Sequence, residues 1–351
     1  MTPDSSGKQI LFSNSAFLRE LAARLPDKGR GPDYQALQKV ADIYPAKITS
    51  GFFDLIQEVD DPIYRQFVPS VEELAECGEA DPLAEQACSP VEGILHRYPD
   101  RVVLLAQNRC PVRCRFCLRK RLWAKGGEGR PADLEPALGY IKNTPAIKEV
   151  ILSGGDPLMM TDESLDGLLA ALSAVGHVRV VRIHTRVPTA LPERITPNLL
   201  NMLTRYKPLF VNIHVNHPVE LSAPAATAIG LMADAGLPLG SQSVLLKGVN
   251  DETNTLESLF AGLYELRVRP YYLHHLDRIK GVAHFAVPVK KGLLLMESLR
   301  RRTGGMNLPA FVLDLPGGWG KVRLDSNQVK ELEPGLWQAR DFSGRIHIYK
   351  E

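Results

Sequence analysis

Residues 102–117 of this 351-residue chain read VVLLAQNRCPVRCRFC. The apolar, β-branched start of the stretch is typical of a buried strand. The rest is a polar, proline-containing loop that carries Cys110, Cys114 and Cys117 at a C-x3-C-x2-C spacing. In barrels of parallel strands, the loops at the carboxyl ends of the strands carry the reactive groups. The stretch therefore predicts a strand that delivers three thiols to a functional site.

The three thiols are candidate ligands of an iron–sulfur cluster. A short loop with this spacing can turn three thiolates toward one centre, and thiolates are the standard ligands of such clusters. Three ligands leave one iron of a 4Fe-4S cluster open to bind a small molecule. The alternative is a structural zinc site, which needs a fourth ligand. His96 could supply it, although it precedes the strand and would lie near the strand's other end.

Composition limits the other possibilities. The chain is 44% hydrophobic and 23% charged, and its net charge of +2 does not indicate nucleic acid or a membrane as a partner. Its first residues lack the apolar core of a signal peptide, and no stretch approaches the roughly 18 apolar residues that span a bilayer. Five cysteines, three of them clustered, do not indicate a disulfide framework in a chain of this length. We therefore expect a cytoplasmic protein in which Cys77 and Cys88 are ordinary free thiols.

A repeated pattern of apolar runs and amphipathic stretches surrounds the cysteine loop. It predicts six strands, at Val102–Gln107, Glu149–Leu152, Val178–His184, Leu209–Val215, Gly240–Leu246 and Tyr271–Leu276. The predicted helices are Pro136–Lys142, Ser164–Val175, Pro197–Tyr206, Pro224–Ala235, Thr253–Leu266 and Lys290–Arg301. Parallel strands need crossover connections, and six such pairs close most simply around a shared core. The fold class predicted for residues 100–305 is therefore α/β, a partial (β/α)6 TIM-like barrel.

The segments on either side of the barrel are predicted to be smaller. Residues 1–99 carry helical signals at Ser15–Ala23 and Tyr34–Ile43 and are expected to form a helical and irregular extension. Residues 306–351 contain a strand-like run at Phe311–Leu315, a glycine-rich turn and two alternating strands. This last segment is a short, strand-containing tail.

A second motif follows the second predicted strand, where the chain reads ILSGGDP. By themselves, Gly154, Gly155 and Asp156 would indicate only a turn. One βα unit after the cysteines, however, the motif resembles the glycine-rich motif of the radical S-adenosylmethionine superfamily, which also has the cysteine spacing of this chain. The resemblance implies a radical S-adenosylmethionine barrel that holds a 4Fe-4S cluster and places these three residues near the methionyl amino group of S-adenosylmethionine.

From about Tyr44 onward the chain resembles the lysine 2,3-aminomutase family. The matching segments include SPVEGILHRYPDR, RIHTRVP, VNIHVNHPVE, QSVLLKGVND, PYYLHHLD and DLPGGWGK. The resemblance implies an isomerase that moves the amino group of L-lysine from carbon 2 to carbon 3. It also implies pyridoxal 5′-phosphate as a second cofactor, held by Lys321 as a Schiff base. Without the resemblance, Lys321 would be interpreted as a solvated lysine after a loop.

The resemblance further implies a substrate site. Asp277 and Asp314 match the positions whose carboxylates hold the remote ammonium of lysine, and paired anions offset the desolvation of a buried cation. A related glutamate 2,3-aminomutase type departs from this aspartate pair. Arg119 matches the arginine that grips the substrate carboxylate. The alternative for each aspartate is a turn cap, most seriously for Asp314 before Pro-Gly-Gly.

Four further residues are assigned to cofactors by the resemblance. Arg97 and Arg101 are placed in the region of pyridoxal phosphate, with a structural salt bridge as the alternative. His214 and Gln242 are placed around S-adenosylmethionine, with a satisfied polar group of the core as the alternative.

Some neighbouring residues receive no role in the predicted site. The basic side chains of Arg115, Lys120 and Arg121 are expected to be solvated. His274 and His275 have no predicted function.

Several alternatives remain open at the level of function. The chain also resembles the branch that makes (R)-β-lysine for elongation factor P. An aminomutase for another amino acid, a pyridoxal-free radical enzyme with a structural Lys321, and a non-enzymatic metal-binding module are the others. The favoured interpretation requires an external electron donor similar to flavodoxin or ferredoxin, and a homo-oligomer is possible.

Overall fold

The computed structural model describes residues 10–11, 14–25, 33–122, 133–326 and 328–351. Its strands are β1 Ile10–Leu11, β2 Ile48–Thr49, β3 Ile94–Tyr98, β4 Arg101–Gln107, β5 Glu149–Gly154, β6 Val180–Thr185, β7 Leu209–His214, β8 Leu239–Val244, β9 Arg269–His274, β10 Ala310–Leu315, β11 Gly320–Arg323, β12 Val329–Glu333, β13 Leu336–Arg340 and β14 Ile346–Lys350. Its α-helices are α1 Asn14–Arg24, α2 Tyr34–Ile43, α3 Ser50–Asp54, α4 Pro62–Phe67, α5 Glu135–Lys142, α6 Asp162–Ser173, α7 Val187–Ala190, α8 Pro197–Leu203, α9 Ala223–Asp234, α10 Thr253–Glu265 and α11 Val289–Arg302.

Strands β3 to β11 form one nine-stranded sheet in which spatial order follows chain order. Strands β4 to β10 are parallel, and the two edge strands β3 and β11 are antiparallel to their neighbours. The two edges approach each other, because the backbone N–H of Lys321 in β11 donates a hydrogen bond to the Tyr98 hydroxyl at the end of β3, at 2.7 Å. The predicted α/β fold with a partial parallel barrel is therefore confirmed.

The barrel strands have two differently packed faces. In β4, Val102, Leu104 and Ala106 are buried and belong to the main hydrophobic core, which also contains helix residues such as Ile141 and Leu169. The alternate positions of the strand face the barrel interior, because successive side chains of a strand point to opposite faces. The helices therefore cover the outside of the sheet, and its inner face is left for polar residues.

The strand–helix alternation agrees closely with the sequence. All six predicted strands and all six predicted helices are present, with ends that differ by up to three residues. The helical signals before the barrel correspond to α1 and α2, and the run at Phe311–Leu315 is part of β10. Because β10 pairs in parallel with β9, it adds a seventh parallel strand, and the sheet extends on both sides of residues 100–305.

Short elements without a clear hydrophobic period are not predicted by the sequence. They are β1, β2, β3, β11, β12, α3, α4 and α7. Most of them have six residues or fewer, so neighbouring chain segments rather than local pattern determine their conformation.

The N-terminal segment packs against the barrel through its own hydrophobic cluster. Phe17, Phe52 and Phe67 are buried there together with Val112 of the cysteine loop and Ala190 of α7. Of the helices that the structure describes, none is long and apolar enough to cross a bilayer.

Two glycines let the loop after β5 lie directly on the base of the cysteine loop. Gly154 has a φ of +107°, a conformation that is strained for other residues. The N–H of Gly155 donates to the carbonyl of Gln107 at 2.6 Å, and the N–H of Asp156 donates to the carbonyl of Arg109 at 2.7 Å. A Cβ atom on Gly155 would lie 2.3 Å from the Arg109 oxygen, so a side chain there would push the two loops apart.

We expect Gly155→Ala to lower the free energy of unfolding by about 1–3 kcal/mol, because its methyl group would overlap backbone atoms that cannot rotate away. Urea denaturation monitored by circular dichroism measures the change. Gly167→Ala is the matched control, since a Cβ atom at that exposed helical position meets nothing within 4 Å and should stabilise the protein slightly. Equal stability of Gly155→Ala and the natural chain would show that the two loops are not held in this contact.

Candidate active site

The three predicted ligands lie together in the loop after β4. Cys110, Cys114 and Cys117 are each partly buried. Val112 is buried in the N-terminal hydrophobic cluster, and Phe116 is buried in a second cluster formed by the loops that follow β8 and β9. The loop is therefore anchored on both sides, and the thiols lie between the anchors.

The thiols influence one another electrostatically. Burial raises the pKa of Cys110 well above its usual value, and the neighbouring Asp156, Cys117 and Cys114 raise it further. Burial, followed by Cys114, raises the pKa of Cys117 to about 11. A metal that binds here must therefore displace protons from these thiols.

The spacing of the donors fits a cluster better than a single ion. Among the described residues, no three His, Cys, Asp or Glu side chains converge on a point that could hold one metal ion. A structural zinc ion needs four donors at about 2.0–2.3 Å from one centre. The thiolates of an iron–sulfur cluster bind different iron atoms, so they can lie farther apart. The three cysteines are compatible with that arrangement.

The Gly-Gly-Asp motif joins the cysteine loop to the end of β6. The Asp156 carboxylate accepts hydrogen bonds from the Thr185 hydroxyl at 2.7 Å and from the Arg186 N–H at 2.6 Å. Burial raises the pKa of Asp156 to about 6. Gln107, at the end of β4, donates its side-chain N–H to the Asp156 carbonyl.

A polar atom without a partner lies beside the thiols. Nε2 of His214, at the end of β7, is buried and has no hydrogen-bond partner among the described residues. The ring stacks on Phe116 of the cysteine loop with the centroids 5.8 Å apart. Gln242 of β8 lies opposite His214 in the sheet register. Because buried polar atoms are normally satisfied, the free nitrogen indicates a place where a polar ligand fits.

Lys321 and Asp314 face each other across the last pair of strands. They are cross-strand partners in the antiparallel β10–β11 pair, and Lys321 Nζ lies 2.8 Å from Asp314 Oδ1. His274 Nδ1, on the neighbouring β9, lies 3.4 Å from Asp314 Oδ2. Burial opposes ionisation of both partners, but Asp314 raises the pKa of Lys321 and Lys321 lowers the pKa of Asp314. The pair is therefore an ion pair.

Asp277 gives the same region a second carboxylate. Its Oδ1 is buried and has no hydrogen-bond partner within the described part of the chain. Burial, followed by the charge of Asp314, raises its pKa to about 8, although Lys321 acts in the opposite direction. Two carboxylates thus share the ammonium of Lys321, and a second ammonium group would be stabilised between them.

The glycine-rich turn before Lys321 is held by Tyr98, which sequence reasoning missed. The Tyr98 hydroxyl accepts the Lys321 N–H, and a Cβ atom on Gly320 would lie 2.7 Å from that hydroxyl. Arg101 stacks over the Tyr98 ring at 3.8 Å and forms an ion pair with Asp100 at 2.7 Å. The only available signal for Tyr98 was its position between the two arginines of HRYPDR.

The sequence is similar to known proteins over most of its length. L-lysine 2,3-aminomutase of Clostridium subterminale is 44% identical over 309 residues, which cover 87% of this chain and 74% of that protein. The chain belongs to the lysine 2,3-aminomutase family. L-lysine 2,3-aminomutase of Methanococcus maripaludis is 43% identical over 90% of this chain and 74% of its own length. Glutamate 2,3-aminomutase of Clostridioides difficile is 36% identical over 83% of this chain and 69% of its own length.

Two family profiles match separate parts of this aminomutase. Residues 104–259 match the radical SAM superfamily, and residues 296–351 match the profile described as lysine-2,3-aminomutase. The first match includes the three cysteines, and the second includes Lys321. The predicted family and its isomerase class are therefore confirmed. The family implies a 4Fe-4S cluster and S-adenosylmethionine, and lysine 2,3-aminomutases depend on pyridoxal phosphate, as predicted.

Two arginines of the aminomutase site have a side-chain nitrogen free. Nη2 of Arg119 lies 2.7 Å from Glu85, while its Nε is buried without a partner in the described ranges. Nη2 of Arg97 donates to the Leu83 carbonyl at 2.9 Å, and its Nε is likewise buried and unpaired. Each guanidinium is thus fixed at one end and available at the other.

The prediction that the basic residues around Arg119 are solvated is wrong. Arg115 and Lys120 are almost fully buried, because both form ion pairs with the buried Glu73. Arg121 is partly buried and forms an ion pair with Glu85 at 2.9 Å. Their partners come from the segment before β3, so local sequence could not reveal them.

Glu73 connects the N-terminal segment to the cysteine loop. Its carboxylate accepts two hydrogen bonds from Arg115, at 2.9 and 2.6 Å, and one from Lys120. Arg115 also donates to the Tyr44 and Pro45 carbonyls, and it lies between Cys114 and Cys117 in sequence. Burial would raise the pKa of Glu73, but its two cationic partners lower it. The loop between these two thiols is therefore fixed by a buried charge network.

We expect Glu73→Gln to lower the free energy of unfolding by about 3–5 kcal/mol, because it leaves two buried cations without their anion. The same variant should retain less iron per chain after reconstitution. Urea denaturation of the metal-free protein and iron analysis measure the two effects. Asp54→Asn, which removes an exposed ion pair with Arg24, is the control and should change stability by less than about 1 kcal/mol. A similarly small loss in Glu73→Gln would contradict the proposed anchoring.

Proposed function

We propose that the chain is a radical S-adenosylmethionine, pyridoxal-phosphate-dependent aminomutase that interconverts L-lysine and β-lysine. The carrying observation is the placement of two carboxylates, Asp277 and Asp314, around a single ammonium, that of Lys321. When bound, the cluster and S-adenosylmethionine supply a carbon radical, and pyridoxal phosphate supplies the π-bonded nitrogen through which an amino group can shift. The residues of the chain bind and orient the reacting groups.

The cysteine loop is assigned to the cluster. Cys110, Cys114 and Cys117 would each bind one iron, and the fourth iron would face S-adenosylmethionine. The loop's position at the carboxyl end of β4 directs that iron toward the barrel interior, where the site of a parallel barrel lies.

The ends of β5, β7 and β8 are assigned to S-adenosylmethionine. Gly154, Gly155 and Asp156 lie next to the cysteine loop through their backbone hydrogen bonds. His214 offers a buried nitrogen without a partner in the described chain, and Gln242 lies opposite it in the sheet. These groups provide polar contacts on the side of the barrel that the thiols share.

The substrate's remote ammonium is assigned to Asp277 and Asp314. The Lys321–Asp314 pair, at 2.8 Å, shows that a primary ammonium is accommodated beside these carboxylates. With two carboxylates and one ammonium, the region keeps an excess of negative charge that the side chain of lysine would compensate. A substrate with a carboxylate at this end would instead meet two anions, which disfavours glutamate.

Arginines are assigned to the anionic groups of the ligands. Arg119 would bind the substrate carboxylate through the end of its guanidinium that Glu85 leaves free. Arg97 and Arg101 are assigned to pyridoxal phosphate, and the case is stronger for Arg97, whose Nε has no partner in the described residues. Lys321 holds that cofactor through Nζ. It is well placed to do so, because the Tyr98 hydroxyl fixes its backbone.

The biological setting is also part of this proposal. We expect a cytoplasmic enzyme that receives electrons from a protein similar to flavodoxin or ferredoxin, and a homo-oligomer is compatible with it. The second candidate function is formation of (R)-β-lysine for elongation factor P, which the segment PYYLHHLDRIKGVAHF favours. Both functions use the same 2,3-shift, so chiral analysis of the product and the identity of the acceptor distinguish them.

We expect the anaerobic protein, reconstituted with iron, sulfide, pyridoxal phosphate, S-adenosylmethionine and a reductant, to convert L-lysine but not L-glutamate. Asp277→Asn and Asp314→Asn should each lower kcat/KM for lysine by at least about 30-fold, because loss of a buried charge partner costs roughly 2–5 kcal/mol. Product chromatography measures turnover, and visible absorbance confirms that the cluster is intact. Asp166→Asn, an exposed change far along the chain, is the control.

The same experiment tests the alternatives. A cluster-loaded protein that makes no β-lysine would contradict the proposed substrate. Absence of a yellow pyridoxal band in the natural chain, together with unchanged activity in Lys321→Ala, would favour a pyridoxal-free radical enzyme. Bound zinc in place of a brown, oxygen-sensitive cluster would favour a metal-binding module.

A further inference from the structure

Arg186, directly after β6, lies against one of the three cluster cysteines. Its Nη1 is 2.9 Å from the sulfur of Cys114, and only 6% of the residue's surface is exposed. An arginine side chain stays charged in proteins, so this contact is a hydrogen bond from a buried cation to the sulfur. Neither the sequence motifs nor the proposed chemistry assigns a role to this residue.

The guanidinium is held in place from its other end. Nη2 donates to Glu220 at 2.7 Å and to the side-chain oxygen of Gln66, also at 2.7 Å. Glu220 is fully buried and is itself fixed by the Asn216 and His217 N–H groups and by the side-chain N–H of Gln66. The cation therefore cannot move toward solvent without breaking a buried network.

Aromatic rings surround the same guanidinium. Its central carbon lies 4.8 Å from the ring centre of Phe67 and 5.7 Å from the ring centres of Phe52 and Phe116. Such contacts stabilise a cation and exclude water. Low water content strengthens electrostatic interactions, so the charge of Arg186 acts on its neighbours with little screening.

We propose that Arg186 sets the reduction potential of the cluster that Cys114 binds, and that Glu220 limits this effect. The inference rests on the cluster site of the proposed function. Reduction adds one electron, taken from the external donor, and makes the cluster more negative without forming or breaking a bond. A hydrogen-bonded cation at a ligand sulfur stabilises the reduced form and raises the potential. The nearby carboxylate of Glu220 acts in the opposite direction.

This assignment also gives the N-terminal segment a function. Gln66, Phe52 and Phe67 all precede the barrel, and they supply a hydrogen-bond acceptor and two of the three rings around Arg186. Together with Glu73, they make the segment a support for the cluster loop. Arg186 itself is a positioning residue, because it acts through Cys114.

The test is a redox titration of the reconstituted, cluster-loaded protein followed by electron paramagnetic resonance. At a fixed potential, Arg186→Gln should lower the ratio of reduced to oxidised cluster about tenfold, which corresponds to about 59 mV for one electron. Glu220→Gln should raise the ratio, because the cation is then uncompensated. Arg205→Gln, at an exposed ion pair, is the matched control and should leave the ratio unchanged.

A purely structural role would not give shifts of opposite sign. The proposal is overturned if both cluster-loaded variants keep the natural ratio or shift it in the same direction. If Arg186→Gln does not take up a cluster, Gln66→Glu replaces it, since a second carboxylate beside the guanidinium must also lower the ratio. A natural chain that binds no cluster contradicts the proposed function, whereas a loaded cluster with unshifted variants contradicts only the role of Arg186.

Discussion

Burial of charge beside the three thiols is the constraint on which the other features depend. The cluster loop must hold thiolates in a region where burial raises the pKa of Cys110 and Cys117. The structure answers with buried cations that are themselves neutralised by buried carboxylates, Arg186 by Glu220 and Arg115 by Glu73. Because breaking a buried ion pair is strongly destabilising, these pairs fix the loop as well as its charge.

The opposite side of the barrel follows the same principle with one difference. Asp314 is neutralised by Lys321, but Asp277 keeps a buried oxygen without a partner in the described residues. Such an incomplete network is costly in a folded protein, and unpaired groups of this kind are concentrated at ligand sites. The barrel thus brings a radical-generating half, at the ends of the early strands, to a half that offers an ammonium site on β10 and the loop after β9.

Local pattern was sufficient for much of this architecture. The strand and helix periods predicted the barrel, and motif spacing located the thiols and Lys321. It could not identify partners that are distant in sequence: Arg115 meets Glu73 across 42 positions, and the Arg186 guanidinium meets Gln66 across 120. Basic residues beside a cysteine motif look solvated until those partners are known. The roles of Asp277 and Asp314 came from family resemblance, because a lone aspartate near a turn has no distinctive pattern.

The central claim is that the amino group of lysine migrates within one molecule. The most direct test is to supply L-lysine labelled with ¹⁵N on carbon 2 to the anaerobic, fully reconstituted protein and to locate the label by nuclear magnetic resonance. The account predicts β-lysine with the ¹⁵N on carbon 3 and little labelled ammonia. Release of the label as ammonia, or recovery of only unmigrated lysine from cluster-loaded protein, would contradict it.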